Sequence, residues 1–248
     1  MHSLLLVAAF SAGNSARADD GIRLSFGTVV EAKYFGADVQ EVPQSLSIIY
    51  KSGDFGIEAT PRSARLFWTA SPDLTFGTLI RRHAGRENVE DAAVNALRSV
   101  PATVEAGLFV RTKTEPASLS AEVAGDILGE TNGVVGEIGA SVPIPVADQF
   151  TLVSAVGLFG ANDAFADAFF SVEQTDVAAS GLPWYEASGG VLGAAEGLSA
   201  CYLFSQSVSA SGSLRYIQLA GDAADSPIVS ERGSRDQVVA SLGLTVGF

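Results

Sequence analysis

The sequence predicts an all-β protein, a transmembrane antiparallel β-barrel of about twelve strands with closed up-and-down topology. Three observations carry that expectation. Apolar residues recur at every second position in run after run, the period of a strand with one oily face. The interleaved stripes hold charged residues in mid-run. An export-type N-terminus is matched by a last alternating run, "SLGLTVGF", that ends on the aromatic Phe248.

Composition supports the same class. The chain has 248 residues, 47% hydrophobic and 17% charged, and a mean hydropathy of +0.28. No run reaches the ~18–20 apolar residues of a membrane helix, so a membrane would be crossed by strands. Cys201 is the single cysteine, which excludes an internal disulfide and a cysteine-rich metal cage. A net charge of −13 argues against nucleic acid or anionic lipid as a partner held by a basic patch.

The first residues read as an address. "LLLVAAF" (4–10) is a short apolar core, and "ARA" (16–18) supplies small residues for cleavage before Asp19. No Lys or Arg precedes the apolar run, only His2, and a buried N-terminal helix is the alternative. No cysteine follows, so lipid attachment there is excluded. The expected organisation is a cleaved signal over 1–18 and one barrel domain over 19–248.

The strands follow in order. "IRLSFGTVVE" sets Ile22, Leu24, Phe26 and Val30 against Arg23, Ser25, Gly27 and Glu31. "SLSIIYK", "FGIEATP", "RLFWTAS" and "LTFGTLIRR" are weaker runs, the first two separated by the turn signal "SGD". "NVEDAAVNALRSV" has Val89, Ala93, Ala96, Leu97 and Val100 at helical spacing, a short helix over one mouth or a loop. "PATVEAGLFVRT", "ASLSAEVAGDI" and "VVGEIGASVPIPV" alternate cleanly, with "TNG" as a turn between the last two. "FTLVSAVGLF", "LSACYLFS" and "SASGSLRYI" alternate less cleanly, and "WYEASGGVLGAA" is ambiguous. In the last run Val238, Ala240, Leu242, Leu244, Val246 and Phe248 form the apolar stripe.

Alternation alone fits a soluble sandwich as well as a barrel. The export signal, the small apolar residues of the stripes and the terminal Phe favour the barrel, with apolar stripes toward lipid and polar ones toward a lumen. Glu58, Arg65, Arg81, Glu105, Glu122, Asp126, Glu137 and Arg215 then face inward, where arginines would pair with carboxylates across a narrow bore. An even strand number puts both ends in the periplasm, so the loops 33–43 and 220–235 lie outside. Tyr34, Trp68, Trp184, Tyr185, Tyr202 and Tyr216 are candidates for interfacial girdles.

Chemistry is poorly provisioned. After signal removal His83 is the one histidine, expected in a solvated strand end rather than as a catalytic base. His83 and Cys201 make no recognisable zinc set, and Cys201 reads as a small buried hydrophobe. Asp222 and Asp225 in "GDAADS" match no calcium-loop spacing and read as a solvated loop tip. No catalytic, cofactor-binding or metal residue is assigned, no cofactor is expected, and the chain is not expected to be an enzyme.

Four stretches resemble the MipA/OmpV family of MltA-interacting outer-membrane proteins. They are "KYFGAD" (33–38) with "VP" after it, "RRHAGRENVEDAAVNALRSVPATVEAGLFV" (81–110), "FFSVEQTDVAASGLPWYEASGG" (169–190) and "LAGDAADSPIVSERGSRDQ" (219–237). Phe169 stands where the family has Tyr, and Ser171 where it has Gly. The resemblance implies a barrel in the outer membrane of a Gram-negative type cell, in contact with its lipid and assembled by the barrel-assembly machinery through the C-terminal strand. It also implies a scaffold joining a lytic transglycosylase to a peptidoglycan synthase, or a porin-like protein. Three functional readings follow: a non-enzymatic scaffold, a small or gated pore for polar solutes, and a soluble exported barrel that binds a ligand.

Overall fold

The computed structural model describes residues 20–248; the expected signal over 1–18 lies outside the described residues. Thirteen strands run through the described residues. They are β1 (Gly21–Ala32), the two-residue β2 (Gln40–Glu41), β3 (Gln44–Ser52), β4 (Phe55–Thr60), β5 (Ser63–Ser71), β6 (Leu74–His83), β7 (Thr103–Thr114), β8 (Ala117–Asp126), β9 (Val134–Ala147), β10 (Phe150–Ala161), β11 (Gly190–Leu203), β12 (Val208–Leu219) and β13 (Asp236–Gly247). Each long strand pairs with its sequence neighbours, and β13 closes on β1 from Arg23↔Gly247 to Val30↔Ala240. Leaving out β2, which only extends a loop, this is a closed antiparallel barrel of twelve strands. Closure leaves no ladder edge unpaired, which hydrocarbon requires.

The sandwich alternative fails on the outer face. Leu108 is 61% exposed, Ile138 57% and Leu242 67%, and such residues girdle every side of the barrel. An apolar belt of that extent would aggregate in water, so the solvent around it is lipid. At one end the belt is bordered by stacked Phe55 and Trp68, with Phe76 edge-on at 5.2 Å from Trp68, and by Tyr202 against Phe204. Trp68 and Tyr202 therefore take the girdle role expected of them. Tyr34 and Tyr185 do not: Tyr34 is buried among loop residues, and Tyr185 donates its hydroxyl to the Asp222 carbonyl at 3.0 Å.

The aromatic end carries only tight turns, such as the one at Gly53 between β3 and β4, and both ends of the described chain, where Ile22 and Phe248 are hydrogen-bonded. That is the periplasmic end of such barrels. Two prolines show the same logic. Pro143 and Pro145 lie in β9 beyond Ser141, the last β9 residue paired with β8, so their missing N–H groups cost no ladder bond on that side.

The opposite end carries the long loops. They include α1 (Ala92–Asn95), α2 (Asp163–Phe170), α3 (Val177–Ser180), α4 (Gly221–Asp225) and α5 (Pro227–Ser230). The helix expected near 88–100 is a single turn, because Asp91 caps it and Ala96 already closes it. The α2 helix starts at Asn162, whose side chain accepts from Phe165 N at 3.1 Å.

Candidate functional site: a capped and charge-laced lumen

From the periplasmic side upward, the inward stripes of β4 to β9 are charged. Glu122 accepts from both Arg65 and Arg81, and Arg81 Nε donates to Glu105 at 2.6 Å. Phe109 carries the Arg65 and Arg111 guanidinium groups over its ring at 5.1 and 5.2 Å. Carboxylates pair with arginines inside the barrel as expected, and Arg65 reaches Glu122 from β5 to β8, but Arg81 and Glu105 are direct neighbours on β6 and β7 rather than partners across the bore. Asp126 departs from the arginine pairing. Its carboxylate accepts from the N–H groups of Leu128, Gly129, Thr131 and Asn132 and from the Thr103 hydroxyl, so it organises the 127–133 loop instead. The other wall is lined by hydroxyls: Ser25 bonds Thr245 at 2.8 Å, and Ser213 bonds Ser241 at 2.6 Å.

Beside this network and above it the lumen turns apolar. Val29, Leu79, Phe109, Ala124, Val135, Phe159, Leu192, Ile217 and Val239, one or more from each strand from β6 to β13 and from β1, point inward and join one buried cluster. The loops fill that ring from outside. Phe35, from the loop after β1, lies with its ring centroid between 5.9 and 6.3 Å from His83, Phe159, Phe165, Phe169 and Phe170. Phe165 is 1% exposed and Phe170 0%. The outer mouth is thus closed by a packed core rather than by a mobile lid.

His83 corrects an expectation. It is 5% exposed, not solvated. Its Nδ1 is 3.1 Å from Glu105 Oε1, and its ring packs on Phe165 and Phe169 at 5.4 and 5.0 Å. The histidine links the charge network below to the aromatic core above. Cys201 is buried, as expected. Asp222 is no solvated loop tip: it opens α4, and its carboxylate accepts from Ser188 N at 2.8 Å. Among the described residues no group of three or more His, Cys, Asp or Glu side chains could hold a metal ion.

The cap is tied together by specific bonds. Arg86 Nη1 donates to the Phe169 carbonyl at 2.6 Å, and Arg86 N to the Val100 carbonyl at 2.7 Å. Burial lowers the Arg86 pKa to about 10. The Ser226 hydroxyl donates to the Phe170 carbonyl, joining the α5 loop to α2. Ser171, at the position where the resembled family has Gly, accepts from Ala187 N at 2.9 Å. Arg232 grips Asp91 through Nε at 3.0 Å and through Nη2, which holds the Asp91 carboxyl below its ordinary value. Gly36 is required in the "KYFGAD" loop. Its φ is +80°, a Cβ there would lie 2.4 Å from Val229 Cγ2, and its carbonyl accepts from Ser234 N at 2.7 Å.

A closed twelve-stranded barrel with an apolar outer belt, an aromatic border, short turns at one end and long loops at the other is an outer-membrane β-barrel. Comparison with known proteins agrees and narrows the class. The family described as MltA-interacting protein MipA matches residues 24–248, and the chain belongs to that family. The YiaT protein of Escherichia coli (strain K12), assigned by its description to the outer membrane, is 25% identical over 145 residues, 58% of each chain. The chain thus spans less than two thirds of that relative's length. Among solved structures, the NanC porin superposes with a TM-score of 0.51 at 9% identity, covering 91% of this chain and all of that one. The translocator domain of the autotransporter NalP from Neisseria meningitidis does so at 0.50 and 12% identity, covering 98% and 93%. The solved structures establish the fold, and the family match together with the apolar outer belt places that fold in the outer membrane.

The charged residues of the lumen were legible from alternation. The aromatic cap was not, because Phe165, Phe169 and Phe170 fall in a loop with no strand period. The signal available was "NDAFADAFF", an Asn cap followed by aromatics four apart.

Proposed function

We propose that the protein is a non-enzymatic anchor in the outer membrane that holds murein-cleaving and murein-synthesising enzymes at its periplasmic end. The observation that carries this reading is the closed outer mouth. A general pore needs a continuous aqueous path, and here the buried aromatic core lies across it. The family description, which names an interaction with MltA, a lytic transglycosylase, supports the choice of partner. The direct test is a cross-linked pull-down of the tagged full chain from membranes. Recovery of a lytic transglycosylase or a peptidoglycan synthase above the level given by an unrelated barrel supports the anchor, and recovery of neither refutes it.

A second reading, a gated channel, draws on the hydroxyl-lined wall opposite the charges, where Ser25, Ser213, Ser241 and Thr245 give a polar lining below the cap. It would require the cap to move, and conductance measurements separate the two readings.

A further inference from the structure

A barrel closed at its outer mouth is still open at the other end. Its twelve strands, about 4.8 Å apart and tilted by about 40°, put opposite backbones ~24 Å apart. About eight strands leave a bore that side chains alone can fill, so twelve leave room to spare. The inward positions below the cap are also small, among them Ser118 and Ser120 on β8, Ser209 and Ser211 on β12, and Gly243 and Thr245 on β13. The lower lumen is thus a blind chamber that faces the periplasm.

Charge in this chamber is one-sided. Arg23 on β1, Lys51 on β3, and Arg111 and Lys113 on β7 hold inward positions in its periplasmic part. Glu58 is the inward carboxylate beside them, and it faces Arg65 across the β4–β5 ladder. Glu31, Glu105, Glu122, Asp126 and Glu137 all stand nearer the cap. The chain as a whole carries a net charge of −13, so a cationic inner wall runs against its composition. The acidic turn residues Asp54, Asp73, Glu115 and Asp148 border the opening, but they are exposed to water and screened over about 8 Å. Inside, charges of one sign between low-dielectric walls focus their field on the bore and concentrate counter-ions there.

Hydroxyls add a second requirement. On the β12 wall Ser211 Oγ is buried without a hydrogen-bond partner among the described residues, a position that a ligand hydroxyl would satisfy. On β5 the half-buried Phe67 ring lies over the inward face of Gly56, where a Cβ would come 2.1 Å from its Cζ. Cations, an unpaired hydroxyl and an apolar ring match the carboxylate, the hydroxyls and the C–H faces of an acidic sugar. A bare anion would use only the first of these, and a neutral sugar only the others.

We propose that the chamber below the cap binds an acidic saccharide from the periplasm, its carboxylates held by Arg23, Lys51, Arg111 and Lys113 and one hydroxyl by Ser211. The site is independent of the anchor reading, because it is tested by binding to the purified barrel, whereas the anchor is tested by its protein partners.

The test titrates the purified full chain in nanodiscs with three probes. Triglucuronate carries carboxylates and hydroxyls, cellotriose has the same sugar backbone without carboxylates, and acetylated triaspartate amide has the carboxylates without the sugar. At low salt triglucuronate should bind about tenfold tighter than cellotriose, and raising the salt to about 0.5 M should shrink the difference. Lys51→Gln/Lys113→Gln, at the rim and outside the Glu122 network, should weaken triglucuronate about tenfold without changing cellotriose. Ser211→Ala removes only an unpaired hydroxyl and spares the fold; it should weaken triglucuronate about fivefold and leave triaspartate unchanged. Should the lysine variant show no folded species on an unboiled gel, Ser211→Ala and the salt series carry the test. Equal affinity for triglucuronate and cellotriose, or an unchanged affinity in the folded lysine variant, overturns the proposal. Triaspartate binding as tightly as triglucuronate also overturns it and assigns the chamber to acidic peptides.

Discussion

Leu108 tests the inside-out assignment most sharply, because its environment decides both the size and the sign of the effect. The residue lies in the middle of β7, opposite Thr78 and Val123, and is 61% exposed on the outer wall. Were the barrel a soluble protein, replacing so exposed a leucine by lysine would change stability by no more than about 0.5 kcal/mol. In lipid the lysine ammonium has to leave water or thin the bilayer to reach it, and near mid-membrane that costs about 2–4 kcal/mol. At 1.4 kcal/mol per tenfold, the folded-to-unfolded ratio would fall by a factor of about 30 to 700. Leu108→Ala removes the same side chain without the charge and sets the reference. The assay is urea titration of folding into lipid vesicles, read by the shift between folded and boiled species on a gel. A Leu108→Lys midpoint equal to that of Leu108→Ala would refute the orientation of the stripe.

Other predictions concern the lumen and the cap. Phe35→Ala should cost about 3–5 kcal/mol of cap packing, visible as faster amide exchange in 33–43 and in α2, while the strands stay protected. Glu122→Leu should destabilise the barrel by about 3–5 kcal/mol, because Arg65 and Arg81 both lose a carboxylate inside the bore; a urea midpoint unchanged from wild type would show that the arginines find other partners. Acid should loosen the outer loops through Asp91. Its folded pKa is lowered from the ordinary carboxyl value of 3.8, chiefly by its hydrogen bond to Arg232, so its contribution is present above that value and is lost as pH falls through the lower folded one. Trypsin cleavage after Arg98 and Arg232 should therefore be constant from about pH 7 to 5, and exchange in α1 should rise only below about pH 4; a rise centred near pH 6 would assign the transition to another group.

Much of this architecture was legible in alternation. Ile22, Leu24 and Phe26 face out and Arg23, Ser25 and Gly27 face in, as the period of two requires. The charge network was legible too, since Glu105, Glu122, Arg65 and Arg81 fall on the inward stripe. What alternation hid was the point at which the lumen becomes a core. The clue lies in apolar doublets, Val29–Val30, Leu79–Ile80, Val134–Val135 and Val238–Val239, each near the loop-bearing end of its strand. One member faces lipid and the other faces the cap, so the alternation lapses where both sides are dry. His83 was misplaced for the same reason: a strand end is wet only when nothing packs over it, and α2 packs over this one.

The central claim is that the outer mouth is closed by a packed core rather than open to solutes. The most direct measurement is the single-channel conductance of the purified full chain in planar bilayers, beside Phe35→Ala/Phe165→Ala. The account predicts a silent wild type and discrete openings in the variant, whose core no longer spans the bore. Steady ion conduction by the wild type, unchanged in the variant, would contradict it.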